Sequence, residues 1–528
     1  MKTAVYNRYW TTGGGAERYA GALAEVLAAD GPVELLSHEP FDREWLSERL
    51  RLDLRGCEQR VVEDSPGAIL RAGAEADLFV NVSFMSRDAA PTRRSLYVVH
   101  FPTGPEQAIP AWKRSIAGAA RHVPGGLPPV SLEWWRGFHT PEVGGRGVLW
   151  TDGDAVLRVT TPTDTTVPVR LALGFQRPAA AGSTTVEVDV DGERVAAADL
   201  GEPTGAMERF RGRALAFSVR SPAPAQPVEI RIRSGSFVPA EVGAGTDPRR
   251  LGVPVVGVQI GTGPAAVLAR AVPMVLSQPL SHEWAATYGR VVSNSDFTMR
   301  WVERRWGVDS AVLHPPVSMH DAAAKEQVIL SVGRFFGVGQ GHSKRQLELV
   351  EAFRRLVDGG LSGWSLALAG GCTDDGRDYL DAVSAAAAGY PVSIHDNASG
   401  AELADLYGRA AVYWHAAGLG VDPERHPDVL EHFGISTVEA MSAGAVPVVL
   451  GVGGLAETVR HGNDGYHFRT LDGLVAITEQ LLGDERTRER LAANAQRRAQ
   501  EYSVDAFADR LRRIVAGLPE GSAAPGDP

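Results

Sequence analysis

The chain has 528 residues, more than one hydrophobic core holds, so two or three domains are expected. Hydrophobic residues make up 44% and charged residues 22%, ordinary values for a globular protein, and a formal net charge of −11 without a basic block argues against a nucleic-acid partner. Cys57 and Cys372 are the only cysteines, which excludes a disulfide framework and a cysteine zinc site. "MKTAVYNRYWTTGGG" lacks an apolar leader core, and no run of about 18 apolar residues occurs. The expectation is a cytoplasmic protein, with peripheral contact at the inner face of the plasma membrane still open to it.

Short apolar runs alternate with helical patterns over the first 125 residues. Strands are predicted at Thr3–Tyr6, Val33–Ser37, Ala76–Val82 and Ser95–His100, and a helix at Glu17–Ala29 after the glycines at 13–15. That alternation predicts βαβ units on a parallel sheet. From about Gly125 to Gly261 the texture changes to period-2 stretches such as "AVLRVTT", "VPVRLALGF" and "VEIRIRSGSF", which predict antiparallel strands, with a hairpin turn at Val190–Glu193. The α/β pattern resumes at about Pro264, and a second series of strand–helix units runs from "QVILSVGRFF" through "AVPVVLG". A helix is predicted at Val504–Ala516. The predicted fold class is α/β, with two Rossmann-like domains and an inserted antiparallel β-sandwich. The expected domains are 1–124 with 262–320, an insert at 125–261, a second domain at 321–503, a helix at 504–518 that packs back on the first domain, and a disordered tail at 519–528.

Chemistry concentrates in "EHFGISTVEAMSAGAVPVV", residues 431–449. Glu431 and Glu439 stand eight positions apart around Gly434-Ile435-Ser436. Ser436-Thr437-Val438-Glu439 fits a capping box, a purely structural reading of Glu439. A helix N-terminus also offers free N–H groups to a phosphate, and Gly434 would let the backbone approach it without a Cβ. A ligand with both phosphates and hydroxyls, a nucleotide sugar, suits that combination. Arg334 and Lys344, in a chain whose only other lysines are Lys2, Lys113 and Lys325, follow a predicted strand and suit a diphosphate. "TTGGGAERYA" departs from a dinucleotide-binding fingerprint, because Arg18 stands where the third glycine belongs.

These motifs resemble the family-4 retaining glycosyltransferases of GT-B fold, bacterial polysaccharide type, with their Glu-x7-Glu signature. The resemblance covers about residues 1–110 and 262–515 and omits the insert. It implies a retaining, metal-independent enzyme that moves a hexose from a UDP- or GDP-sugar to a glycan or lipid-linked acceptor in cell-surface polysaccharide synthesis. Glu431 and His100 would be catalytic. Arg334, Lys344, Gly14, Gly15, Gly434, Ile435 and Ser436 would bind the donor diphosphate. Glu431, Phe433 and Glu439 would hold the donor sugar and ribose, and the backbone near Ile394 and His395 the base. No metal and no cofactor are implied. His415 is a weaker candidate for the donor sugar, and Asn294, Ser295 and Phe297 read as structural. In the insert, Trp134, Trp135, Phe138 and Trp150 suit either sugar stacking or core packing, so the insert is expected to bind glycan or to mediate oligomerisation. The alternative function is a catalytically silent glycan-binding scaffold on the same frame.

Overall fold

Continuous apolar runs such as "TAVY" and "SLYVV" suit strands covered on both faces, and they form a parallel sheet. In the computed structural model its seven strands run Ser310–Val312, Arg290–Ser293, Ser95–Val99, Leu78–Asn81, Thr3–Tyr6, Val33–Ser37, Cys57–Val61. The described residues are 1–62, 68–84, 86, 88–103, 131–139, 149–161, 166–221, 227–244, 249–261, 283–337 and 343–519. All neighbours in this sheet are parallel, including Ser95–Val99 with Arg290–Ser293 from the far side of the insert. The strand order reverses beside Thr3–Tyr6, where a doubly wound sheet opens its crevice. The glycine turn at 13–15 and the helix Gly15–Ala28 follow that strand.

A second parallel sheet has six strands in the order Val392–Asp396, Ser365–Gly370, Glu326–Val332, Ala410–His415, Val446–Leu450, Tyr466–Phe468. Its reversal lies between Glu326–Val332 and Ala410–His415, so Gly333-Arg334 and His415 emerge side by side. The chain passes between these two lobes at Val317 and at Ser503, which form an isolated parallel bridge, with Val317 N–H donating to Tyr502 O at 2.9 Å. The helix Val504–Ala516 spans the predicted residues. Its Phe507, Leu511 and Val515 join the core of the first lobe beside Tyr19, Leu23 and Leu27.

Residues 1–102 with 285–528 form one compact unit and 103–284 another. The second unit is antiparallel, as its period-2 pattern predicts. Seven of its eight described strands lie on one hydrogen-bonded path, Ser131–Phe138 pairs off that path with Leu149–Thr160, and Leu149–Thr160 joins the two halves. Both halves feed one apolar core, with Val186, Val188 and Ile230 from one and Val169, Leu171 and Val258 from the other. The turn at Asp191-Gly192 carries two positive φ angles, 48° and 88°, the type I′ geometry that a two-residue hairpin between Val190 and Glu193 demands. Phe138 packs on the apolar core and Trp150 stands edge-on to Phe237, so both act as packing residues. The side chains of Trp134 and Trp135 lie outside the described residues.

Candidate active site

The second lobe gathers Arg334, Lys344, His415 and Glu431 at the crevice end of its sheet. Lys344 reaches Glu431 by lying across the strand end: a Cβ on Gly333 would stand 2.5 Å from Lys344 Cγ. Gln346 ties this turn down, its Nε2 donating to the carbonyls of Gly333 and Arg334 at 3.1 Å each. Arg334 projects beside it, its guanidinium 5.0 Å from the Phe336 ring centre.

Glu431 is held from three directions. Its backbone carbonyl accepts from Gly454 N–H at 2.8 Å, and a Cβ on Gly453 would come within 2.5 Å of that same oxygen. Its Oε2 accepts from Lys344 Nζ. His415, 2% exposed at the end of its strand, brings Nε2 to 3.2 Å from the same oxygen, too oblique for a full hydrogen bond. Burial alone would raise the Glu431 carboxyl, but Lys344 and His415 outweigh it and hold the group well below the usual carboxylate range. Burial lowers the His415 imidazole, which is therefore neutral at physiological pH.

The eight-residue helix Ile435–Ser442 begins beside this cluster. Its N-cap is Gly434 at φ 95°, where a Cβ would also stand 2.5 Å from Leu455 Cδ2. The predicted capping box does not form: Ser436 and Glu439 both lie inside the helix. The first bond to the Gly434 carbonyl comes from Thr437 N–H, so the amides of Ile435 and Ser436 precede the intrahelical ladder. The Ser436 hydroxyl accepts from Tyr413 at 2.8 Å and donates to Val332 O at 3.3 Å. Glu439 accepts from Tyr407 OH at 2.9 Å on Oε2, and its Oε1 lies 3.4 Å from Nη1 of Arg18 of the first lobe.

Two expected binding residues, Phe433 and Gly14, make other contacts. Phe433 is 3% exposed and packs against Tyr502 and His314 with ring centres 5.2 and 5.5 Å apart, so its side chain belongs to the core rather than to a sugar pocket. Gly14 N–H donates to Glu17 Oε2 at 2.8 Å and is already engaged, whereas a Cβ on Gly15 would meet nothing within 4 Å. Of the pair expected at the base, Ile394 packs on the core of the second lobe, and His395 is tied to Glu402 at 2.8 Å and Ser393 at 3.0 Å. His395 thus has only backbone to offer a base.

Glu17 was not singled out in the sequence. It is 4% exposed and also accepts from Thr12 Oγ1 at 2.6 Å and Asn7 Nδ2 at 3.4 Å, so one carboxylate shapes the whole glycine turn. The signal available was an acid three residues into a helix that opens on glycine, reaching back to an orphan amide. His100, predicted as the last residue of its strand, comes just after it, because the strand ends at Val99, with Nε2 3.3 Å from Val82 O and its ring edge-on to Tyr19. Burial lowers its pKa. Asn294 donates to the His100 carbonyl at 2.9 Å and Ser295 caps the next helix, which accords with a structural role.

Glu457 of the second lobe accepts from the amides of Asp296 and Phe297, both at 2.9 Å, and so caps the helix Asp296–Trp306 of the first lobe. Asp296, His314 and Glu457 are the one metal-ligand grouping among the described residues. Within it His314 Nδ1 accepts from Arg510 at 2.7 Å, and both Glu457 oxygens accept from helix amides. The Glu457 carboxylate thus acts as an interlobe helix cap.

This geometry matches known proteins in its second lobe and in its frame. Residues 319–498 match the model of the family "Glycosyl transferases group 1". These residues resemble a group 1 glycosyl transferase domain. A D-inositol 3-phosphate glycosyltransferase from Thermomonospora curvata is 35% identical over 112 residues, 20% of this chain and 24% of that one, so the match spans about a quarter of that curated relative. The structure of Anabaena HepE in complex with UDP and glucose aligns with a TM-score of 0.50 at 13% identity, over 98% of this chain and 100% of that one. A glycosyltransferase of Rickettsia africae aligns with a TM-score of 0.50 at 11% identity, over 97% of each chain. The group 1 domain and the parallel sheet before it therefore share the frame of GT-B glycosyltransferases. No helix among the described residues is long and apolar enough to cross a membrane.

Proposed function

We propose that the protein is a retaining glycosyltransferase that moves a hexose from a UDP- or GDP-sugar to a glycan or lipid-linked acceptor, in cell-surface polysaccharide or glycoconjugate synthesis at the cytoplasmic face of the membrane. One observation carries this reading: Glu431, fixed by Lys344 and His415, stands at the mouth of a helix whose other acid, Glu439, lies eight residues on. The matched region, residues 319–498, contains Lys344, His415, Glu431 and Glu439 together. HepE, of similar frame, was solved with UDP and glucose, which favours a UDP-sugar among the two donors.

In this reading the diphosphate lies against Arg334, Lys344 and the amides of Ile435 and Ser436. Breaking the anomeric bond leaves negative charge on the departing phosphate, and these preorganised groups stabilise it without a metal. An ammonium has three N–H donors, so Lys344 serves Glu431 and a phosphate oxygen together. Glu431 accepts sugar hydroxyls and stabilises the positive charge that develops at the anomeric carbon. Glu439 accepts the ribose hydroxyls. The acceptor attacks from the face that the phosphate leaves, and the leaving phosphate takes its proton. His100 lies on the acceptor side, and the insert offers a surface for glycan or for a second subunit.

A thermal-shift screen against UDP-, GDP-, ADP- and dTDP-sugars tests the donor, since a species that binds only the folded state raises the melting temperature. Stabilisation by a UDP- or GDP-sugar, followed by transfer that Glu431→Ala abolishes, is the expected result. Wild-type transfer by that variant would overturn the assignment.

A further inference from the structure

Arg18 occupies a position that a helix does not favour. It lies in the first turn of Gly15–Ala28, at the positive end of the helix dipole, where a cation is repelled. Its guanidinium is nonetheless largely buried, with 18% side-chain exposure, and is fixed by the second lobe and the interlobe segment rather than by its own helix. Nη2 donates to Ser318 Oγ at 2.5 Å, and Nη1 lies 3.4 Å from Glu439 Oε1. Glu439, 14% exposed, is fixed in turn by Tyr407 at 2.9 Å.

Among the described residues both groups keep capacity to spare. A guanidinium has five N–H donors, and Ser318 and Glu439 take two. A carboxylate has about four acceptor sites, and Arg18 and Tyr407 take two. Unused donors and unused acceptors thus adjoin each other at the acid assigned to the ribose. A ribose bearing a phosphate offers the matching chemistry, a diol that donates and an anion that accepts.

We infer that Arg18 is a donor-binding residue supplied by the first lobe: its guanidinium, held by Glu439 and Ser318, contacts a phosphate oxygen of the nucleoside diphosphate while Glu439 receives the ribose diol. The inference rests on the donor site proposed above. It gives Glu439 a second task, that of aiming Arg18, and it makes donor affinity depend on a residue outside the group 1 domain.

The test is calorimetric binding of UDP and uridine, with GDP and guanosine in parallel, to the full-length wild type, Arg18→Met and Arg18→Lys. Arg18→Met is expected to weaken the diphosphate at least tenfold and leave the nucleoside within twofold. Arg18→Lys, which keeps the charge and loses the fork, is expected to fall between, and it supplies the same comparison if the methionine variant does not fold. Equal losses for diphosphate and nucleoside would mean that Arg18 only holds the lobes together, and unchanged affinity for both would mean that it touches nothing; either overturns the inference. If wild type binds neither diphosphate, the donor site itself is wrong, a result distinct from binding that is indifferent to Arg18.

Discussion

Lys344 and Glu431 form a pair 87 positions apart in the chain, and the lysine stem reaches the acid only by crossing a residue without a side chain, Gly333. Strand end, lysine and acid are therefore one mechanical unit.

Gly333→Ala follows directly. The added methyl would stand 2.5 Å from Lys344 Cγ, so the lysine must move off its track. A cost of about 1–3 kcal/mol is expected for this overpacking. Transfer activity should fall at least tenfold in protein whose circular dichroism is unchanged. Wild-type kcat in a folded alanine variant would show that Lys344 has other routes to Glu431.

Glu431→Gln and Glu431→Ala separate charge from shape. Both should lower kcat by about 100-fold or more, the scale of losing one preorganised electrostatic group. Chemical denaturation should show both variants less stable than wild type near neutral pH, because Lys344 keeps its charge and loses its partner. The sign of the pH effect is fixed: a depressed carboxyl stabilises above its unfolded pKa of about 4.5, and that stability is lost as pH falls through the lower folded value.

His415→Phe removes the contact with the Glu431 carboxylate and should lower kcat on the order of tenfold by loosening Glu431, with the donor KM nearly unchanged. His415→Gln should recover part of the loss. Because burial keeps His415 neutral, no inflection from it is expected near 6.5 in the wild-type pH–rate profile.

Glu457→Gln addresses the interlobe cap. Burial and then Asp296 push the Glu457 carboxyl up from 4.5 to about 7. A raised carboxyl binds its proton more tightly in the folded state. Its contribution is full below 4.5 and is lost as pH rises through 7. Melting temperature measured from pH 4.5 to 7.5 should decline in wild type by an increment that the glutamine variant lacks. Parallel curves would rule out Glu457 as the titrating group.

Local pattern carried most of the frame. Four-residue runs such as "TAVY" need both faces covered, and period-2 stretches broken by Asp191-Gly192 need a hairpin; both are properties of neighbouring residues. The helix Val504–Ala516 was legible for the same reason. The two acids around Gly434 were also visible, because the glycine turn that places them is local. What local pattern does not hold is the partner across the fold. Ser436 and Glu439 satisfy a capping box in one dimension, yet Gly434 takes the N-cap because Leu455 closes on it from another segment. Phe433 sits within the motif, but Tyr502, near the end of the second lobe, claims its ring. The role of Glu17 likewise depends on Asn7 and Thr12, which the fold brings to its carboxylate.

The bridge between Val317 and Ser503 places both crossings of the chain at one point. Two segments tied side by side at one bridge give the lobes a single shared crossing, so a rotation of one lobe against the other would bend both segments together. Any widening of the mouth then separates Arg18 from Glu439 and Glu457 from Asp296 in the same stroke.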